Sequence, residues 1–274
     1  MIDYLLRSVP AGAVTIEIRD ARGGLVRRLS SDDRATSPPP EPPQIADEWL
    51  PRLEPPTRNV GLNRVAWDLR YPPPPAERYG YSIAAIAGQG TVAEPQGPLV
   101  LPGEYQVRLG VGGQAYTQPL RVELDPRVHV SDSALAGQLR LALEIWNAMA
   151  QQVLHGGLRS LERQLRGLGG RTLDGAARGS ITALQHVTDS LARAVRNAGD
   201  ELAGLETAVE SADREPTQQA RDAFAEVRER LSAADRRWQR VLTSDLPALN
   251  TELQRKGVPP LQVPARARES IDRP

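Results

Sequence analysis

Residues 101–124 read LPGEYQVRLGVGGQAYTQPLRVEL and carry the clearest hairpin signal in the chain. Two runs with strand character, 104–111 and 114–124, flank the pair Gly112-Gly113. Paired glycines accept the positive φ angles of the primed turns that join right-twisted strands. The stretch therefore predicts an antiparallel β-hairpin with a two-residue turn.

Further strands are predicted on the N-terminal side of this hairpin. Residues 13–19 alternate apolar and polar side chains, residues 20–24 (DARGG) form a turn signal, and residues 25–29 supply a return strand. A third strand is predicted over 63–69. Several short strands bounded by Gly and Pro, with one apolar face, predict a small antiparallel β-sandwich.

Proline is concentrated in this half of the chain. Eighteen of the 24 prolines precede residue 131, and they enrich two long insertions, 31–58 and 71–98. We interpret the insertions as loops that lie over the sheet, with Trp49, Tyr79 and Tyr81 filling gaps. A peptide- or sugar-binding aromatic surface is the alternative for these three side chains.

After the sequence Asp125-Pro126-Arg127 the apolar period becomes helical. Ser131 and Asp132 are suitable N-cap residues, and apolar side chains then recur at steps of mostly three and four over 135–168, 181–209 and 220–253. Gly167 and the pair Gly169-Gly170 end the first series. Pro216 suits the start of the third helix, whereas Pro247 should kink or restart it.

Three amphipathic segments with short connections predict an antiparallel three-helix bundle, which we favour over an oligomeric coiled coil. The predicted fold class is α+β in two domains. They are an Ig-like β-sandwich over 1–128, with long Pro-rich insertions, and the helical bundle over 129–257. Residues 258–274 are expected to be extended or disordered.

Charge and composition exclude several functional classes. The 34 basic and 34 acidic side chains cancel, and each half is close to neutral, with 14 basic against 15 acidic groups up to residue 130 and 20 against 19 beyond it. Such a chain lacks the positive field of a nucleic-acid binder, so we expect no nucleic-acid partner. There is no cysteine, which excludes disulfides and zinc–thiolate sites. No apolar run reaches membrane-spanning length, so we expect no membrane insertion. Asp3 stands where a signal peptide needs positive charge, so we expect no export signal in the sequence as written.

The candidate catalytic groups do not form a recognisable site. His129, His155 and His186 share no metal-binding spacing, and we expect each to be a solvated surface residue. There is no nucleophile elbow, P-loop or dinucleotide-binding fingerprint, and the glycines at 110–113 belong to the hairpin turn.

The carboxylates also have simple structural interpretations. Asp68 and Asp125 are expected to accept local turn or cap hydrogen bonds. The helical acids fall mostly between apolar positions and predict a solvated bundle face; they are Glu144, Glu162, Asp189, Glu206, Glu226 and Glu229. The sequence thus predicts no catalytic residue, no metal ligand, no cofactor-binding residue and no cofactor.

The order of the segments VTIEIRDARGGLVR (14–27), GLNRVAWDLRYP (61–72) and LPGEYQVRL (101–109) resembles the Ig-like domain of the flagellar hook-capping type. The resemblance becomes more specific when three further features are included: the Pro-rich insertions, the sequence LDPR at 124–127 after the last predicted strand, and the helical region. Over roughly residues 2–260, the chain is similar to the C-terminal region of large bacterial proteins with BNR/Asp-box or sortilin-like β-propellers. Such proteins are commonly labelled glycosyl hydrolases.

This resemblance implies an accessory module of exported proteins, periplasmic or extracellular, in which chemistry belongs to the propeller. No Asp-box (S-x-D-x-G-x-T-W) occurs here, so no catalytic residue carries over. We expect a C-terminal appendage separated from its propeller by truncation, an internal start or a split gene. Its expected partner is a protein, or a propeller domain of the same or a neighbouring polypeptide. A glycoside hydrolase and an oligomeric coiled-coil spacer remain alternatives.

Overall fold

A computed structural model describes residues 1–33, 54–74, 80–81, 93–153, 156–168 and 175–263. The N-terminal part forms strands. Their bounds are β1 Ile2–Leu6, β2 Thr15–Asp20, β3 Leu25–Ser30, β4 Gly61–Val65, β5 Gly80–Tyr81, β6 Ala93–Glu94, β7 Gly103–Val111 and β8 Gln114–Val122.

The strands pair antiparallel in three sheets. The largest has the order β3-β2-β7-β8, while β1 pairs with β4 and β5 with β6. Val111 lies opposite Gln114 in the hairpin of β7 and β8, and Gly112 and Gly113 have φ angles of 56° and 80°. These left-handed values confirm the predicted hairpin and its glycine turn.

Side chains of the four-stranded sheet and of the β1–β4 sheet share one apolar core. Ile16 and Ile18 of β2 are fully buried, and Tyr4 and Leu6 of β1 meet them from the other sheet together with Trp67. Burial of large apolar side chains supplies the main favourable free energy of such a core. The alternation of apolar and polar residues over 13–19 therefore reflects the packing of one face of β2 into this shared core.

Two features of the strands differ from the sequence-based expectation. Strand β1 was not predicted, although it pairs with β4 over its whole length, from Ile2 opposite Val65 to Leu6 opposite Gly61. The third strand ends at Val65 and not at residue 69. Leu69 has a φ of 60°, which is left-handed backbone that a strand cannot continue through.

The C-terminal part is helical. Its elements are α1 Asp132–Val153, α2 Gly156–Leu168, α3 Gly175–Val209, α4 Gln218–Arg240, a π-helical turn Val241–Asp245 and α5 Leu246–Arg255. The N-cap predicted at Ser131 is present, because Ala134 N donates to Ser131 Oγ, and Asp132 is the first residue of α1. Helix α4 has a cap that was not predicted: Thr217, one residue after Pro216, accepts from Ala220 N through its Oγ1.

The three predicted helical series occupy more than three helices. The first is divided between α1 and α2, and the third between α4 and α5 with the π-helical turn between them. Pro247 lies in the first turn of α5 and has no amide proton for the usual i→i−4 bond, so the helix widens just before it. Pro247 was expected to kink or restart the helix; the structure shows a π-helical turn before it and helical backbone on both sides.

Helix α3 contacts α1, α2, α4 and α5, so every other helix packs on it. Two apolar clusters lie along its length. One joins α1, α3 and the start of α4 around Ile145, Leu202 and Phe224; the other joins α2, α3 and α5 around Leu161 and Leu253.

Residues 258–263 follow α5 as an extended segment. Val258 and Leu261 are buried in the second cluster, and Leu261 exchanges hydrogen bonds with the side chain of Asn250. None of the helices among the described residues combines the length and apolarity of a membrane span. Four features interpreted from the sequence lie outside the residues that the structure describes: Trp49, Tyr79, the Tyr81 side chain and residues 264–274.

The turn that leads into β4 depends on one buried amide. Asn63 is 3% exposed, and its Nδ2 donates to the carbonyl oxygens of Asn59 at 2.8 Å and Gly61 at 3.0 Å. Its Oδ1 accepts from the Thr57 hydroxyl and from Asn59 N. One side chain thus satisfies several polar groups that the turn withdraws from water.

We expect Asn63→Ala to lower the free energy of unfolding by about 1–3 kcal/mol, because it leaves buried polar groups without partners. Urea denaturation measures the change. Asn147→Ala is the matched control, since Asn147 is exposed on α1, and it should change stability by less than about 0.5 kcal/mol. Equal effects of the two substitutions would contradict the role given to Asn63.

Candidate functional site

The predicted surface position is confirmed for two of the three histidines. His129 and His186 are exposed, whereas His155 lies outside the described residues. Within the described ranges, no group of three or more His, Asp or Glu side chains is arranged to hold a metal ion.

Asp68 and Asp125 have the local roles that the sequence predicts. Asp68 Oδ1 accepts from Arg70 N at 3.2 Å, and Asp125 Oδ1 accepts from Arg127 N at 2.9 Å. The Arg127 guanidinium also holds the pKa of Asp125 below its usual range through hydrogen bonds. Both carboxylates stabilise turns.

The six helical acids differ in exposure. Glu144, Asp189, Glu226 and Glu229 are exposed, as a solvated face requires. Glu162 is half-buried, and burial, followed by the negative charge of Asp189, raises its pKa. For Glu206 that prediction is wrong, because the side chain is only 2% exposed.

The apolar steps of α3 explain the position of Glu206. The buried positions near its end include Ala198, Leu202, Glu206 and Val209, at steps of four, four and three. The adjacent apolar residue, Leu205, is only half-buried. A step of four from Leu202 would have placed Glu206 on the buried face, so the signal was present in the helical period.

Glu206 is the most perturbed acid of the described residues. Its Oε1 is buried and has no hydrogen-bond partner. Burial, followed by the neighbouring negative charge of Glu210, raises its pKa from the ordinary 4.5 to about 8; Arg70 opposes this shift and Glu94 adds to it.

Glu210 lies one helical turn beyond Glu206 and binds the strand-forming part of the chain. Its Oε1 accepts from Leu99 N at 2.7 Å, and its Oε2 pairs with Arg70 Nη1. The Arg70 and Glu210 side chains are 19% and 11% exposed, and Arg70 Nη1 also donates to Gly97 O at 2.8 Å. This is a charge-assisted network largely shielded from water.

A second contact lies on α1. Trp146 is 1% exposed, and its Nε1 donates to Pro72 O at 2.7 Å. The two backbone segments held in this way also bond to each other, through Tyr71 N to Pro98 O and Val100 N to Leu69 O, both at 2.9 Å.

We call this region the junction. It comprises Arg70, Tyr71, Pro72, Gly97 and Leu99 on the strand side, with Trp146, Glu206 and Glu210 on the helix side. It is tightly packed, because a Cβ atom added to Gly97 would lie 1.9 Å from Tyr71 O.

The chemistry available at the junction follows from this geometry. Both oxygens of Glu210 are bound within the chain, so Glu210 cannot act as a base or nucleophile without breaking the contact between strands and helices. Glu206 has the raised pKa of a general acid but almost no solvent access. The arrangement is suited to holding two parts of the chain together.

No protein-family model matches the chain, and no curated protein or solved structure matches it either. The resemblance to propeller-associated regions therefore stays a prediction.

We expect Glu210→Gln to lower the free energy of unfolding by about 1.5–3 kcal/mol, because it removes the charge from hydrogen bonds that are shielded from water. The control is Glu201→Gln, also on α3. Glu201 pairs with Arg230 in solvent, with side-chain exposures of 46% and 54%, and its loss should cost less than about 1 kcal/mol. Urea denaturation at pH 6 measures both, and a larger effect for Glu201→Gln would contradict the account of the junction.

Proposed function

We propose that this chain is a non-catalytic interaction module that docks on an apolar face of a protein partner, namely a β-propeller domain of the same or a neighbouring polypeptide. In this proposal residues 1–128 are an Ig-like β-sandwich and residues 129–257 an antiparallel three-helix bundle. Residues 258–274 form a tail.

The core of the strand region supports the Ig-like part. Tyr105, near the start of β7, donates its hydroxyl proton to Leu101 O at 2.7 Å, and its ring meets Trp67 edge-on at a centroid distance of 5.9 Å. A tyrosine bonded to the backbone a few residues upstream is a hallmark of Ig-like sandwiches, as is a buried tryptophan.

Contacts between helix ends support the antiparallel bundle. Gln138, early in α1, donates to Val209 O at the end of α3, and Gln185, early in α3, donates to Leu165 O near the end of α2. The path through α1 and α2 therefore runs opposite to α3. Phe224, early in α4, packs with the C-terminal half of α3, so α4 reverses direction again.

The observation that carries the docking proposal is an exposed apolar surface on the β1–β4 sheet. Among the described residues, five of the eight exposed large apolar side chains belong to these strands or their flanks. We call them the β1–β4 patch: Met1, Leu5, Val9, Val60 and Leu62, with exposures of 61–83%.

The centre and the rim of this patch have different chemistry. Leu5 and Leu62 are direct partners in the strand register, so they form one apolar pair on the face opposite the core. The next pair on that face is Asp3–Arg64, whose side chains are joined by hydrogen bonds of 2.6 and 2.8 Å. An apolar centre with a charged rim is typical of protein–protein interfaces.

A glycoside hydrolase is the second candidate, because Glu206 and Glu210 are two carboxyl groups one helical turn apart and one has a raised pKa. It is less favoured because both oxygens of Glu210 are engaged and Glu206 is buried. Hydrolysis of an aryl glycoside or sialoside that Glu206→Gln abolishes would favour the hydrolase.

The docking test uses the Leu5→Ser/Leu62→Ser double variant. The probe is a purified Asp-box propeller domain encoded directly upstream of this reading frame, and calorimetric titration measures its Kd. We expect the wild-type chain to bind and the double variant to bind at least about tenfold more weakly, because burying each leucine contributes about 1.5–3 kcal/mol. Tyr116→Ser is the control, because Tyr116 is 55% exposed on β8 in the other sheet.

Three outcomes would contradict the proposal. The upstream DNA could encode no propeller, or the double variant could bind as tightly as the wild type. Light scattering could also show that the wild type dimerises and that the double variant does not, which would assign the patch to a second copy of this chain.

A further inference from the structure

Glu206 is placed where its charge acts on the contact between strands and helices. It lies on the buried face of α3, one turn before the carboxylate that binds Arg70 and Leu99 N, and its Oε1 has no partner. Each charged group in the rest of the junction is already bonded. Glu206 is thus the one junction acid among the described residues with an unused buried oxygen.

The charged groups that act on Glu206 come from both sides of the junction. Glu210 directly follows the last residue of α3, while Arg70 and Glu94 lie on the strand side. On α1, the junction side chain is the neutral indole of Trp146, which is bonded to Pro72 O. Two negative groups and one positive group therefore surround the carboxyl, and the positive one is already shared between Glu210 and Gly97 O.

We propose that Glu206 is a proton-controlled latch, which keeps the junction closed while its carboxyl is protonated and favours opening once it is ionised. This inference concerns contacts within the chain and does not depend on the proposed partner.

The physical reason is the difference between the two protonation states in a buried site. The neutral carboxyl avoids the large desolvation penalty that an ionised group would suffer there. Once ionised, Glu206 repels Glu210 and competes with it for Arg70. Opening the junction exposes the charge to water and separates the two carboxylates.

The direction of the pH dependence follows from the raised pKa. A group whose pKa is higher in the closed state stabilises that state fully below its ordinary value of 4.5, and loses this effect as the pH rises to about 8. The junction should therefore be tightest in mild acid and weakest at and above pH 8.

Amide hydrogen exchange of the full-length chain tests the latch. The reporters are Tyr71 N, Leu99 N and Val100 N, which all donate within or beside the junction. Protection factors are measured from pH 5 to pH 8.5, after correction for the intrinsic exchange rate. In the wild type, the equilibrium constant for opening at these amides should rise by up to about tenfold for each pH unit up to pH 8.

Glu206→Gln should remove this slope, because glutamine keeps the shape of the protonated carboxyl and cannot ionise. Glu206→Met is the second variant, which also carries no charge and serves if the glutamine variant does not fold. Glu226→Gln, an exposed acid on α4, is the matched control and should keep the wild-type slope. Amides between β2 and β7 are the internal control and should show no such slope.

Two results would overturn the latch. One is a wild-type protection factor at the three reporter amides that does not change with pH. The other is a slope that persists in Glu206→Gln or Glu206→Met. Either result would leave the β1–β4 patch and its docking test unaffected.

Discussion

The Glu210 carboxylate joins the two halves of this protein, because it has to satisfy two donors that come from the other half. With 11% of its side chain exposed, water cannot replace the Arg70 guanidinium and the Leu99 amide as hydrogen-bond partners. Both donors lie on segments that bond to each other, so fixing them directly after the end of α3 orients the strand region on the helices. The Trp146–Pro72 contact adds a second fixed point on α1. Glu206 then lies one turn away, buried by the same contact but without a donor for its Oε1.

The elements predicted correctly from sequence are those whose cause is local. The hairpin of β7 and β8 depends on two adjacent glycines, and the start of α1 depends on Ser131, three residues before the amide that it caps. The change in helical geometry near Pro247 follows from a missing amide proton in that same residue. Each of these causes lies within about one turn of its effect, so the residue pattern suffices.

The missed features depend on residues that are distant in sequence. Strand β1 is stabilised by β4, whose residues lie about sixty positions later, and a five-residue segment alone gives little periodicity. The helical period places Glu206 on the buried face of α3, but no local pattern indicates that Arg70 and Leu99 N, which come from distant segments, bind the neighbouring Glu210. The α+β class could therefore be predicted from the sequence, whereas the junction could not.

The proposed function assigns different tasks to two surfaces of one chain. Polar and charged groups of the junction are used internally, while the apolar pair at the centre of the β1–β4 patch stays exposed among the described residues. The near-neutral charge of each half agrees with this division, because long-range electrostatic attraction would contribute little to either contact.

A double-mutant cycle between Arg70 and Glu210 tests the central claim most directly. The free energy of unfolding is measured at pH 6 for the wild type, Arg70→Ala, Glu210→Ala and the double variant. If the two side chains hold the halves together as a pair, the coupling energy should be at least about 1 kcal/mol. Additive single effects, with no coupling beyond experimental error, would contradict the claim.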